Sequence, residues 1–261
     1  MDNTNLLFLG VSACFPDIGG DTASFCLGDE LLIDTGWYAN QRLRAAGIAP
    51  ASIKYICISH THHDHILGLP AMIYEHYRAN TIEGLNIFGP KETIGRTVKD
   101  ALSFIDSDYY WPKAGRPLVR ELEENDWFET PSFEIAVHPA DHTVPGRCFK
   151  VKDKRSDILI GFTGDGSYQN DLAGFFKGCD VIVHEFSFGL ETPQDNSTKH
   201  SSIPDAIRCA DEAGVKIVCL VHGPSVQSEQ YEICRKEAEK LFNGSIHWPN
   251  AGQILSFMKS L

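Results

Sequence analysis

The sequence predicts an α/β protein in which two packed β-sheets are flanked by helices. Two observations carry this expectation. Short apolar runs near the start, "NLLFLG", "ASFCLGD" and "ELLIDTG", follow one another with little helix between them, as antiparallel hairpins do. Later runs such as "DILIGFTGD", "DVIVHEFSF" and "KIVCLVHG" alternate with helical segments. A third observation sets the domain count. Pro and Gly fall between the runs, and no low-complexity linker, repeat or charge block divides the chain. One domain over residues 1–261 is expected, with enough apolar content (43%) for a sizeable core.

Taken in order, "IKYICISH" reads as a buried strand ending at His60. "THHDHILGLP" then reads as a loop entering a helix, because Gly68 and Pro70 interrupt any long helix through the histidines. "GLNIFGP" is strand-like, and "DALSFIDSDYYWPKAGRPL", at about 100–118, is an aromatic insertion. "FEIAVHP" is the next strand, and "RCFKVKDKRSDILIGF" reads as a hairpin turning at "KDKRSD". The clearest helix is "SSIPDAIRCADEAG". Pro204 stands near its start, Ala206, Ile207, Ala210 and Ala213 repeat at helical spacing, and Gly214 marks its end.

Composition disfavours some functions. A formal charge of −12 repels long RNA or DNA, whose binders usually present a basic face. Eight cysteines without a CxxC pair read as buried thiols, and no run resembles a signal or membrane-spanning segment, so a reducing cytoplasm and no membrane association are expected. The small basic cluster of Lys150, Lys152, Lys154 and Arg155 reads as a solvated turn.

The chemistry concentrates in "SHTHHDHILGLP". In its HxHxDH pattern, His60 and His62 can converge on one cation while Asp64 and His65 turn toward a second; imidazole and carboxylate suit zinc, manganese or iron. The strand-then-ligand pattern recurs at His142, Asp165 and His222, each closing an apolar run. Asp165 can bridge both ions. One set is then His60, His62, His142 and Asp165, and the other Asp64, His65, Asp165 and His222.

These ordered motifs, together with "FLGVSACFP" and "LLIDTG", resemble the metallo-β-lactamase superfamily over nearly the whole chain. The resemblance implies a four-layer αββα sandwich, two mixed sheets between helices, with Asp34 supporting the ligands. Within the superfamily, "LNIFGP", "HTVPG", "DVIVHEFSF" and "KHSS" look like the ribonuclease Z branch and its phosphodiesterase relatives. That resemblance implies two bound divalent cations, with zinc the default and manganese, iron or cobalt as alternatives. It also implies a hydroxide attacking a phosphodiester while His200 assists the leaving group. Glu185 would hold His200, His184 would support it, Asp64 would add a proton-accepting role, and members of the branch commonly form homodimers.

One departure narrows the substrate. The branch's transfer-RNA arm lies between the third ligand and the bridging aspartate, and here only 22 residues separate His142 from Asp165. The expected substrate is therefore small, such as a cyclic nucleotide. The alternatives are an RNA 3′-end nuclease and a hydrolase of a lactone, thioester or β-lactam carbonyl, which has no general need of the Glu185–His200 pair. Substrate contacts are left to Trp37, Tyr109, Tyr110 and Trp111, with packing or a dimer surface as the competing role of the insertion. His63, His76, His138 and His247 are expected to be structural or solvent-facing, and His63 to point away from the cations.

Overall fold

A computed structural model describes residues 3–259. The first half of the chain builds β1 (Thr4–Gly10), β2 (Ser24–Leu27), β3 (Leu31–Ile33), α1 (Ala39–Ala45), β4 (Tyr55–Cys57), α2 (His63–Ile66), α3 (Leu69–Ala79), β5 (Asn86–Pro90), α4 (Ile94–Phe104), α5 (Ser107–Tyr110) and β6 (Leu118–Leu122). The second half builds β7 (Trp127–Glu129), β8 (Phe133–Ala140), β9 (Gly146–Asp153), β10 (Ile158–Phe162), α6 (Leu172–Phe176), β11 (Val181–Glu185), α7 (Ile203–Ala213), β12 (Ile217–Val221), α8 (Glu229–Leu241), β13 (Ser245–His247) and β14 (Ile254–Phe257).

The strands form two mixed sheets, ordered β14-β1-β2-β3-β4-β5-β6 and β13-β12-β11-β10-β9-β8-β7. Each sheet begins antiparallel and becomes parallel, the first at β3 and the second at β10. The order of hairpins first and helical crossovers later, expected once along the chain, thus occurs twice. Parallel neighbours require a crossover connection, and helices supply it in both halves.

Strand alternation sorts side chains into layers. Leu6 and Phe8 of β1 enter the core between the sheets, while Leu7 and Leu9 face the helices on the outside. In β11, Val181 and Val183 face inward and Ile182 faces the outer layer of α6, α7 and α8. Phe25 stacks on Phe162 at 5.6 Å and Phe88 on Phe128 at 4.4 Å, joining the two sheets at the centre of the four-layer αββα sandwich.

Local chemistry explains the elements nearest the site. Ser202 and Asp205 form a capping box at the start of α7, and Gly214 ends it in the left-handed conformation at φ 72°. The segment after His60 is not wholly loop: His63–Ile66 make one helical turn, and Leu67 and Gly68 then separate it from α3, where the missing Pro70 N–H falls in the first turn. The basic cluster is internally satisfied. Lys152 pairs with Asp157, Lys154 with Glu129 and Arg155 with Asp153, and Lys150 donates to the Phe175 carbonyl. No helix among the described residues is long and apolar enough to cross a membrane.

Candidate metal centre

The functional side chains gather at the carboxyl ends of the parallel strands. Asp34 follows β3, His60 lies just beyond β4, Asp165 follows β10, Glu185 ends β11 and His222 follows β12. This is where open α/β sheets place their ligands, because the loops leaving those ends converge over one edge of the core. Two backbone features aim the donors. His222 adopts a left-handed φ of 53°, and Gly164 does the same at 59° just before Asp165, where an added Cβ would lie 3.0 Å from that of Ser59.

Two donor sets form. His60, His62 and His142 make the first: His62 Nδ1 lies 3.2 Å from His60 Nε2 and 3.0 Å from His142 Nε2, and Asp165 Oδ2 is 3.8 Å from His60 Nε2. Asp64, His65, Asp165 and His222 make the second. There His222 Nε2 is 3.1 Å from Asp64 Oδ2 and 3.2 Å from Asp165 Oδ2, and His65 Nε2 is 3.5 Å from both carboxylates. A tetrahedral zinc with nitrogen ligands has edges of about 3.3 Å, so these separations match donors around a shared cation. His65 Nε2 is buried without a hydrogen-bond partner, an arrangement that a cation would satisfy.

The remaining ring nitrogens are all engaged, which fixes which nitrogen faces the centre. His65 Nδ1 donates to Asp34 Oδ2 at 2.8 Å and His142 Nδ1 to the Lys199 carbonyl at 2.8 Å. His222 Nδ1 donates to Ser187 Oγ at 2.9 Å, His60 Nδ1 to Ser59 Oγ at 3.1 Å and His62 Nε2 to Thr143 Oγ1 at 3.4 Å. Asp34 also accepts from the Ser59 N–H and hydroxyl, both at 2.6 Å, and so holds the strand end and His65 together.

Electrostatics agree with ligation. Burial, together with neighbouring imidazoles, lowers the pKa of His60 and His62; burial likewise lowers that of His142, so all three rings are neutral and their lone pairs are available. Burial opposes ionisation of Asp64, but the His222 hydrogen bond and the His65 charge outweigh it and hold the carboxyl at about 2. Asp165 is likewise driven well below the usual range by His222 and His65 despite burial. Burial opposes charge on His65 and His222, but Asp165, with Asp34 at the one and Asp64 at the other, outweighs it and raises the pKa of both, so a cation held there would displace their protons. The donor set therefore fits two divalent cations in its chemistry and orientation.

Beside the centre, Glu185 is 1% exposed and accepts four hydrogen bonds. Its Oε1 takes the His200 Nδ1–H at 2.9 Å, the Ser201 N–H at 3.0 Å and the Gly166 N–H at 3.2 Å, while Oε2 takes the Ser187 N–H at 2.8 Å. His200 also lies 3.9 Å from Asp165 Oδ2. Burial disfavours its charged form, yet the Glu185 bond and carboxylate outweigh that and raise its pKa. His184 donates from Nδ1 to the Glu185 carbonyl at 2.7 Å, so it touches the backbone of Glu185 from the outer layer.

Several contributors carry no sequence motif. Asn196 holds His200 at both backbone groups, accepting its N–H at 3.0 Å and donating to its carbonyl at 2.9 Å, and it also donates to Ser167 Oγ at 3.0 Å. Ser187 and the Lys199 carbonyl orient His222 and His142 through contacts far apart in sequence, and Ser59 joins its neighbour His60 to the distant Asp34. Cys14 is exposed and, with His62, His63, Asp165, Ser187 and His200, lines a cavity of about 450 Å³ over the donor sets. None of the proposed aromatic contacts lines this cavity. Trp111 stacks on Tyr77 at 4.8 Å, Tyr109 and Tyr110 stand exposed, and Trp37 lies 6.4 Å from His63.

Fold and site together define a metallo-hydrolase of the metallo-β-lactamase fold, in the branch that holds ribonuclease Z and phosphodiesterases. Over residues 4–240 the chain matches the family described as Anti-Pycsar protein Apyc1, and it belongs to that family. It is 25% identical over 289 residues to the ribonuclease Z of Picrophilus torridus, covering 92% of each chain. Among solved structures, it resembles the metallo-β-lactamase fold protein YhfI of Bacillus subtilis with a TM-score of 0.81 and 23% identity, covering 98% of this chain and 100% of that one. Unliganded yeast PDE1 superposes with a TM-score of 0.77 at 16% identity, over 98% and 100% of the chains.

Proposed function

We propose that the protein is a dinuclear-metal phosphodiesterase acting on a small phosphodiester, with a cyclic nucleotide as the representative substrate. The observation that carries this reading is the buried Glu185 carboxylate bonded to His200 beside Asp165. When bound, two divalent cations, zinc by default, supply Lewis acidity to the phosphoryl oxygens and activate water. His60, His62 and His142 would hold one of them and Asp64, His65 and His222 the other, with Asp165 available to either. His200 carries a proton to the departing alkoxide, Glu185 keeps that imidazole charged and aimed, and Asp64 can accept a proton from the attacking water. A carbonyl hydrolase has no general need of the Glu185–His200 pair.

A ribonuclease Z activity is the second reading, favoured by the identity spread over 92% of the Picrophilus torridus enzyme. Against it stand the charge of −12 and the short β9–β10 hairpin that occupies the position of an RNA-gripping arm. The proposal also takes the chain to be a cytoplasmic homodimer; its eight free cysteines, seven of them buried, fit a reducing compartment. The test is one panel. Metal-loaded protein is assayed against bis(p-nitrophenyl) phosphate, cyclic nucleotides, a transfer-RNA precursor and an acyl-lactone. Turnover of cyclic nucleotides above the RNA precursor supports the reading, and turnover of the lactone alone defeats it.

A further inference from the structure

His63 belongs to neither donor set, yet it is the single residue that lines both the metal cavity and a second cleft of about 560 Å³. That cleft runs between α3 and α4, and its volume falls in the range of small-molecule sites. Its walls include Leu67 and Phe104, which are 48% and 81% exposed although they are large and apolar. Thr61 and Thr97 add hydroxyls. Among the described residues, Arg96 is the one Lys or Arg on its wall, and it is already matched by Asp100 at 3.5 Å, while Glu92 adds a further carboxylate. A second phosphate would meet net negative charge there, whereas a neutral planar ring would meet apolar faces and hydroxyls.

The shape of the rim agrees. The His63 ring is more than half exposed, its nearest carboxylate oxygen is 3.8 Å away on Asp64, and it makes no hydrogen bond among the described residues. Trp37 backs it at 6.4 Å with a 56° tilt, and Phe15 continues the row at 6.3 Å from Trp37. A group attached to a phosphate at the centre therefore leaves the metal cavity across an imidazole face and enters the cleft toward Phe104.

We propose that the α3–α4 cleft is the subsite for the ring-bearing organic group of the phosphodiester, a nucleobase in chemical class, and that His63 is the specificity-determining residue that directs the ring into it. This rests on the phosphodiesterase reading above and names the part of the substrate that the metal cavity does not hold. Stacking of a base on aromatic side chains is worth enough that loss of one face changes binding by about 10-fold or more.

The experiment compares two substrates that share the reacting bond, a nucleoside 3′,5′-cyclic phosphate and the base-free ribose 3′,5′-cyclic phosphate, on the metal-loaded full chain. Damage to the reacting centre enters both kcat/KM values and cancels in their ratio. The expected wild-type ratio favours the nucleotide by about 10-fold or more, and His63→Ala and Phe104→Ala each bring it toward one, chiefly through KM. Phe104 is exposed, so its truncation leaves the core intact. A ratio unchanged in both variants overturns the inference while nucleotide turnover keeps the reading. A shift in oligomeric state that moves both substrates alike also overturns it, because the cleft would then be a contact between copies. If wild-type protein hydrolyses neither cyclic phosphate, the reading fails and takes the inference with it.

Discussion

Glu185→Gln separates the acid role of His200 from mere support of the fold. Three donors converge on Oε1 and one on Oε2, so a glutamine has a single tolerable orientation, with its carbonyl at the Oε1 position. Its amide nitrogen then faces the Ser187 N–H, which sits 2.8 Å from the oxygen it replaces. One buried N–H loses its partner at a cost of about 1–3 kcal/mol, and the bond from His200 loses its charge assistance, on the order of 1 kcal/mol more. A total of about 3 kcal/mol lowers Tm by roughly 6–12 °C in a chain of this size. Activity should fall unevenly. General acid assistance contributes about 10²–10⁴-fold when the leaving group is a poor one, so kcat/KM for a cyclic nucleotide drops by about 10² or more, while that for bis(p-nitrophenyl) phosphate, which leaves unaided, drops less than about 10-fold. The assay is kcat/KM across aryl and alkyl phosphodiesters at matched metal content, with the melting curve of the same sample. Equal losses for every leaving group would refute the reasoning, because a carboxylate that only braces the fold has no means of distinguishing them.

Other perturbations test the surroundings of the site. Asn196→Ala removes both backbone bonds to His200 and should reproduce the leaving-group dependence at smaller amplitude; a loss equal across leaving groups would count against a positioning role. Chelation should abolish turnover and lower Tm, with two equivalents of zinc restoring both. Ligand at 100 times its Kd is worth about 2.7 kcal/mol, roughly 5–10 °C here, and restoration by one equivalent would argue against the paired centre. Asp21 is pushed up to about 6, chiefly by burial and against the opposing hydrogen bonds from the Thr22 and Tyr38 N–H groups. The folded state then binds more protons than the unfolded state between about pH 4 and 6, so this group's contribution falls by on the order of 2–3 kcal/mol as pH rises through that window. Asp21→Asn should remove that slope, measured as the difference between wild-type and variant urea midpoints, and parallel pH curves would contradict it. Trp111→Ala, which loses the stack on Tyr77 and the edge contact with Tyr74, should cost about 2–4 kcal/mol and leave kcat/KM for cyclic nucleotides within about twofold; a raised KM with unchanged melting would instead favour an aromatic lid.

What the sequence makes legible depends on how locally each feature is encoded. The donor residues stand out because His60, His142, Asp165 and His222 each lie just beyond an apolar strand, and His62, Asp64 and His65 follow His60 directly in the HxHxDH motif. Helix α7 is legible for a similar reason: its capping box, its apolar spacing and Gly214 lie together between Ser202 and Gly214. Asn196, Ser187 and the Lys199 carbonyl are opaque because their partners are fixed only by how the loop between β11 and α7 settles, and that loop has no period to read. The aromatic insertion is ambiguous for the opposite reason. Composition admits a lid, a dimer surface or packing alike, while the stack of Trp111 on Tyr77 across α3 depends on tertiary packing.

His63 shows how a small difference in local structure changes where a side chain is placed. Treated as part of a loop, it has no assigned direction, and pointing away from the cations is the natural expectation. The turn of helix at His63–Ile66 gives it one. Successive residues on an α-helix are rotated by about 100°, so when Asp64 and His65 both face the cations, the preceding ring is carried round to the side of the turn. Here that side opens on the cleft between α3 and α4 while the ring edge still borders the metal cavity. The same turn that divides the HxHxDH motif between two donor sets therefore sets its remaining histidine at the border of the metal cavity and the cleft, the placement on which the proposed selection of the ring rests.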